Sequence, residues 1–285
     1  MRRQRCDGVG MKIQALGLCR FSYPAEGGFQ VIHGNTAARS AALFHPDRLA
    51  QRFMWFEHVC LPGWAGQTDP DFTLLVLTGS DLPQPWLDRL RALTARVPQM
   101  QIVQEAPAPH RTICREVMQR NADPEADLIA EFRHDDDDAV AFDFIARLRA
   151  DTGLLRGFLR SHRMLSLDYA RGFVLSADAG TLSLHPRIET RLTAALAIVK
   201  RPRLPRSVLD FPHQRLTALM PGLTLQDSLM YVRGKHGSND SSISLTSGHT
   251  LEMEPAAAAQ ALRQRFGIDL AGFQAVLAAM PASAS

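Results

Sequence analysis

No uninterrupted apolar run in the sequence approaches the roughly 20 residues that a helix needs to cross a bilayer, so no spanning helix is expected. Its four cysteines, Cys6, Cys19, Cys60 and Cys114, show no C-x-x-C spacing. A chain of 285 residues needs no disulfide framework to hold a core, so a reducing, cytoplasmic compartment is the expectation. Strong charge of either sign is missing too. With 32 Lys and Arg against 29 Asp and Glu, the net charge is +3, too weak a field to call for nucleic acid as a partner. There is no internal repeat and no long linker. The basic opening, "MRRQRCDGVG", has no hydrophobic signal core behind it. Residues 1–10 read as a disordered extension ahead of a second candidate start at Met11, residues 11–250 as the working domain, and 251–285 as C-terminal helices packed on it.

What is present is ordinary in bulk, 46% hydrophobic and 21% charged, and informative in order. Residues 12–20 read as a strand followed by a polar turn. Leu49, Phe53, Phe56 and Val59 fall near helical spacing, a helix that Pro62 and Gly63 should end. Residues 71–79 form an apolar run of strand length, the mark of a strand covered on both faces. A helix over 85–96, a strand over 99–106, a helix over 111–121 and a strand over 127–134 follow. This alternation predicts an α/β fold with a mostly parallel sheet flanked by helices, in which ligands sit beyond the carboxyl ends of the strands. Later, residues 171–186 read as a hairpin turning at 177–180, 193–200 as a strand, and 255–280 as two helices split at Gly267.

The fourth strand runs straight into Asp135, Asp136, Asp137 and Asp138. Four like charges at one point repel unless a cation or hydrogen-bond donors offset them. Carboxylates without nearby thiolates suit Mg²⁺ or Mn²⁺. If the strand alternation continued, Asp135 and Asp137 would share a face, and Asp136 would point away. A solvated acidic turn is the plain alternative, but the strand end is where a site belongs.

With these pieces assembled, the chain resembles GT-A-type glycosyltransferases, and among them a bacterial rhamnosyltransferase family. The matching blocks are "RFSY" (20–23), "RFMWFEHVCLPGWAGQTDPDFTLLVLTG" (52–79), "FRHDDDDAV" (132–140) and "HGSNDSS" (236–242). His134 stands where a small apolar residue is expected, and Tyr231 near the place of a Trp. The resemblance implies a Rossmann-like GT-A sheet, a nucleotide-sugar donor, a Mn²⁺ or Mg²⁺ cofactor and a role in polysaccharide biosynthesis. It implies that Asp137 is the main metal ligand, with Asp135, Asp138 and His236 completing the shell. Asp135 would also meet the donor's ribose, and Arg20, Ser22 and Arg52 would line the donor pocket, although the helical position of Arg52 leaves a solvent-facing reading open. By fold analogy, Asp227 and Asp210 are candidates for the base that takes the acceptor's proton. The acceptor would be a glycan or a lipid-linked hydroxyl, with peripheral membrane contact. The basic segment 200–206 could hold an anionic acceptor or simply be solvated. Of the three tryptophans, Trp64 is the best candidate for a sugar-stacking platform, Trp55 and Trp86 being read as packing. Two other classes remain open: a metal-dependent phosphoryl-transfer or hydrolase enzyme, and a non-catalytic nucleotide-sugar-binding protein.

Overall fold

The apolar runs that the sequence leaves unbroken become adjacent strands at the centre of a sheet. A computed structural model describes residues 11–27, 36–237, 239 and 248–280. In it β1 (Ile13–Arg20) lies parallel between β2 (Thr73–Gly79) and β4 (Leu128–Asp135), and β3 (Met100–Glu105) extends the parallel set beyond β2. β5 (Ala139–Val140) leaves for a second sheet. The remaining strands are β6 (Met164–Tyr169), β7 (Arg171–Asp178), β8 (Thr181–Ile188), β9 (Leu196–Lys200), β10 (Gly222–Leu225), β11 (Tyr231–Lys235) and β12 (His249–Thr250). The main sheet has the order β10-β6-β9-β4-β1-β2-β3, in which β9 alone runs against the others. The second sheet has the order β12-β8-β7-β11-β5. The α/β class and the mostly parallel sheet are as the sequence indicates; the separate second sheet and the strands β6 and β10 are not legible in it.

The expected hairpin forms between β7 and β8, with Ala179 and Gly180 both at positive φ (44° and 80°), as a two-residue turn joining right-twisted strands requires. Helices Pro255–Phe266 and Leu270–Ala278 are separated by Gly267 at φ 72°, and bury Phe266 and Phe273. The expectation for residues 1–10 lies outside the described residues.

One helix departs from its reading. Helix Pro46–Trp55 does not end at Pro62 and Gly63; it continues through a π-helical turn, Phe56–Cys60, into helix Leu61–Ala65. The wide turn inserts an extra residue, and Pro62, in the first turn of the segment that follows, forfeits no hydrogen bond that the segment needs. A side-chain carbon on Gly63 would stand 2.4 Å from the Val140 carbonyl oxygen, so glycine is what lets this helix close on β5.

Candidate functional site

β1 and β4 pair in a register that sets Arg20 beside Asp135, so the two strands end together at the carboxyl edge of the sheet. Arg20 Nη2 donates to Asp135 Oδ1 at 2.6 Å. From there the chain turns rather than extends, the Asp138 N–H donating to the Asp135 carbonyl at 3.1 Å. Strand alternation therefore lapses, and Asp136 does not point away. It is fully buried, and Arg52 grips it with Nε at 3.1 Å from Oδ2 and Nη2 against Oδ1, while Nη1 donates to Asp137 Oδ2 at 3.0 Å. Arg52 is thus buried rather than solvated. Removing a guanidinium from water is costly, and two facing carboxylates are what make that burial tolerable. His134 is buried below the turn, its Nε2 3.0 Å from the Asp138 carbonyl oxygen, so the unexpected imidazole ties the turn's last residue to the strand.

Asp137 Oδ2 is the most heavily bonded atom in the turn: besides Arg52, His236 Nε2 lies at 2.9 Å and Asn239 Nδ2 donates at 2.7 Å. Burial by itself would raise the Asp137 carboxyl, but Arg52 and His236 outweigh it and hold it at about 2. Asp138 goes the other way. Burial pushes it up to about 7, with Arg233 opposing. Its Oδ1 accepts the Gly234 N–H at 3.0 Å, and its Oδ2 is buried with no partner among the described residues.

A ring of further cations stands around the turn. Arg48 Nη1 donates to Ser22 Oγ at 3.2 Å; Ser22 has φ 46°, the left-handed bend by which the chain leaves β1. Arg133 Nη2 lies 3.7 Å from Asp135 Oδ2, and Arg233 Nη1 donates to Thr193 Oγ1 at 3.1 Å. His110, 3.2 Å from Arg20 Nη1, is pushed down to about 3 by burial and by Arg20 and Arg133, and so adds no charge. These groups line a cavity of about 250 Å³ that counts five arginines against the four aspartates. The small positive excess, set over buried carboxylates, suits an anionic ligand that also offers hydroxyl donors.

The structure therefore brings together Arg20, Ser22, Arg52, Asp135, Asp137, Asp138 and His236. It does not bring in the two candidate bases. Asp210 caps the short helix Val208–Asp210, accepting the Ser207 N–H at 2.9 Å and pairing with Arg115 at 3.2 Å. Asp227 has a side chain 58% exposed and pairs with Arg147 at 2.8 Å. Neither lines the cavity. Trp64 is no sugar platform either: it is 1% exposed and stacks on Phe132 in the core. Three arginines escaped the sequence reading. Two carried a signal, since Arg133 shares the strand face of Asp135 and Arg48 stands one helical turn before Arg52. Arg233 carried none.

For a metal, two protein groups converge. Asp137 and His236 stand 2.9 Å apart, and burial lowers the His236 pKa, keeping the ring neutral as a ligand must be. No set of three His, Cys, Asp or Glu side chains gathers at one point among the described residues. Asp135 is engaged by Arg20, and Asp138 by the Gly234 N–H. One carboxylate and one imidazole fit Mg²⁺ or Mn²⁺, ions that keep most positions for water and phosphate.

A family model described as "Putative rhamnosyl transferase" matches residues 14–247. No curated protein matches the sequence significantly. Solved structures with a likeness include S. aureus TarS 1-349 in complex with UDP-GlcNAc (13% identity, TM-score 0.40, 89% of this chain and 65% of that one). A further structure of S. aureus TarS (13%, 0.38, 79% and 37%) and the 4-diphosphocytidyl-2C-methyl-D-erythritol synthase of Anaerococcus prevotii (10%, 0.33, 82% and 91%) are others. The chain thus spans less than two thirds of the TarS chains, and at these scores the ligands of those proteins are theirs alone.

Proposed function

The chain belongs to the rhamnosyl transferase family, and from that premise we propose that the cavity at residues 135–138 binds a nucleoside-diphosphate sugar and transfers the sugar to a hydroxyl acceptor. The observation that carries the reading is the convergence of five arginines on the aspartate turn where β1 and β4 end. A diphosphate needs several fixed positive charges. Arg48, Arg133 and Arg233 supply them around the cavity, already oriented by Ser22, Asp135 and Thr193. Asp135, held by Arg20, supplies a carboxylate oxygen for a ribose hydroxyl.

Asp137 and His236 would hold a Mg²⁺ or Mn²⁺ ion, which when bound supplies Lewis-acid neutralisation of the leaving diphosphate. Arg52 fixes Asp137 for that task and keeps its carboxyl ionised. Asn239, donating to the same oxygen, holds the backbone after β11 against the turn. Rhamnose as the sugar is supported by the family description, and a glycan or lipid-linked hydroxyl is the proposed acceptor.

The test is a thermal-shift screen of nucleoside-diphosphate sugars with and without Mn²⁺, followed by assay of nucleoside diphosphate released with an acceptor. A rhamnosyl donor should raise Tm by several degrees only with metal, and should be consumed. If no donor shifts Tm, the transfer reading fails. Binding without turnover across an acceptor panel would make the chain a donor-binding protein instead.

A further inference from the structure

Far from the aspartates, at the end of the main sheet where β1 and β4 begin, lies a second concentration of arginine. Helix Phe144–Leu155 keeps helical angles through Arg156 and Gly157 into the short turn Phe158–Arg160. Leu154 and Phe158 therefore fall on one face and Arg156 and Arg160 on another, each pair four residues apart. Leu154 is 80% exposed and Phe158 58%, the largest exposures of any large apolar side chains among the described residues.

Strand pairing gathers the rest. Arg163 directly precedes β6 and Arg201 directly follows β9, and Met164 and Lys200 are partners across that antiparallel pair. Two adjoining grooves result, both lined by Arg160 and Arg201, one completed by Arg156 and the other by Arg163 and Arg203. The loop carrying Arg201 and Arg203 is pinned from below. Lys200 Nζ pairs with Glu131 Oε1 at 2.6 Å inside the sheet and donates to the Leu204 carbonyl at 3.2 Å and to that of Arg206. None of the five arginines has an ion pair among the described residues, whereas Arg20, Arg52 and Arg133 at the aspartate turn are paired with its carboxylates. The one acid lining the grooves, Asp127, accepts the Lys12 N–H at 2.8 Å.

We propose that this end of the molecule docks on an anionic lipid bilayer. Phe158 and Leu154 enter the boundary between headgroups and acyl chains, and the arginines take lipid phosphates, which their planar forks match. Charge complementarity asks for an anionic partner. Leu154 and Phe158 line neither groove and stand exposed on a separate face of the same helical segment, which favours a bilayer over an acidic polypeptide. The inference does not depend on which sugar is transferred, or on transfer at all.

The test is co-sedimentation of the full chain with vesicles of phosphatidylcholine alone and with 30% phosphatidylglycerol. Binding should be at least tenfold stronger to the anionic vesicles at low salt and should fall steeply as salt is raised. R160E/R201E should weaken it at least tenfold, with the neutral pair R160Q/R201Q as a check if reversal disturbs folding, and L154S/F158S should weaken it severalfold at unchanged Tm. Equal binding to both vesicles, or wild-type binding by the charge variants, would overturn the proposal. So would polyglutamate binding as strong as vesicle binding and indifferent to L154S/F158S, which would mark a protein-docking surface.

Discussion

The two ends of the main sheet are built with the same side chain under opposite conditions. At the carboxyl end Arg52 is buried against Asp136 and Asp137, and Arg20 is half-buried against Asp135. At the other end five arginines stand without ion pairs among the described residues. A buried guanidinium survives only with its countercharge in place, so the first end is a rigid lattice that a ligand enters. An exposed one keeps its water, so the second end is a loose field that a partner approaches and salt weakens. Net charge hides both: a chain of +3 holds a compensated site and an uncompensated one.

The comparison breaks most visibly at the pair tying the two ends to one framework. Lys200→Met would leave Glu131, whose carboxyl burial already pushes up, without its cation within the sheet while unpinning the loop of Arg201 and Arg203. Urea unfolding should show a loss of about 3–5 kcal/mol. Adding Glu131→Leu should recover much of it, and a loss near zero for the single variant would show that the pair anchors nothing. Next is Asp137→Ala, which removes one of the two converging metal groups and frees Arg52 Nη1. Donor affinity in the presence of Mn²⁺ should fall about 100-fold or more by calorimetry, with vesicle binding unchanged. Unaltered donor affinity would return the aspartate turn to a structural role.

Gly234→Ala comes third. Its new carbon would stand 2.3 Å from the Asp137 carbonyl oxygen and 3.0 Å from the Trp55 ring, so the turn must shift. A stability loss of about 1–3 kcal/mol with weakened donor binding is expected, both read from melts with and without donor. Smallest is Arg203→Gln, whose stability should stay within about 0.5 kcal/mol of the parent because nothing is desolvated or unpaired. A larger loss would mean that this end is also a lattice, and the contrast would be gone.

The parts legible in the sequence were those set by local pattern. The unbroken apolar run at 74–77 and the mostly apolar 128–132 mark the central strands, Gly267 the break between the last helices, and the strand-to-aspartate junction the site. What escaped depended on contacts between distant segments. Asp136 was read by strand alternation, and the turn cancelled it. The helical position of Arg52 left a solvent-facing reading open beside its place in the donor pocket, and only the turn 84 residues on decides it by burying the side chain. The end of the helix at Pro62 was misplaced because a π-turn leaves no mark in a periodicity. Asp210 and Asp227 were placed by analogy to where acceptors bind. Each is already committed, one to a helix cap with Arg115 and the other to Arg147.

β4 has eight residues, from Leu128 at the arginine-rich end to Asp135 at the cavity. At about 3.3 Å per residue it measures about 23 Å, and so serves as a stand-off. On the proposed docking, the aspartate turn at the far end of β4 would stand off the headgroups by about that length. Under the proposed transfer, such a gauge would leave a hydroxyl in the plane of the membrane out of reach and would meet the outer end of an acceptor that projects from the surface.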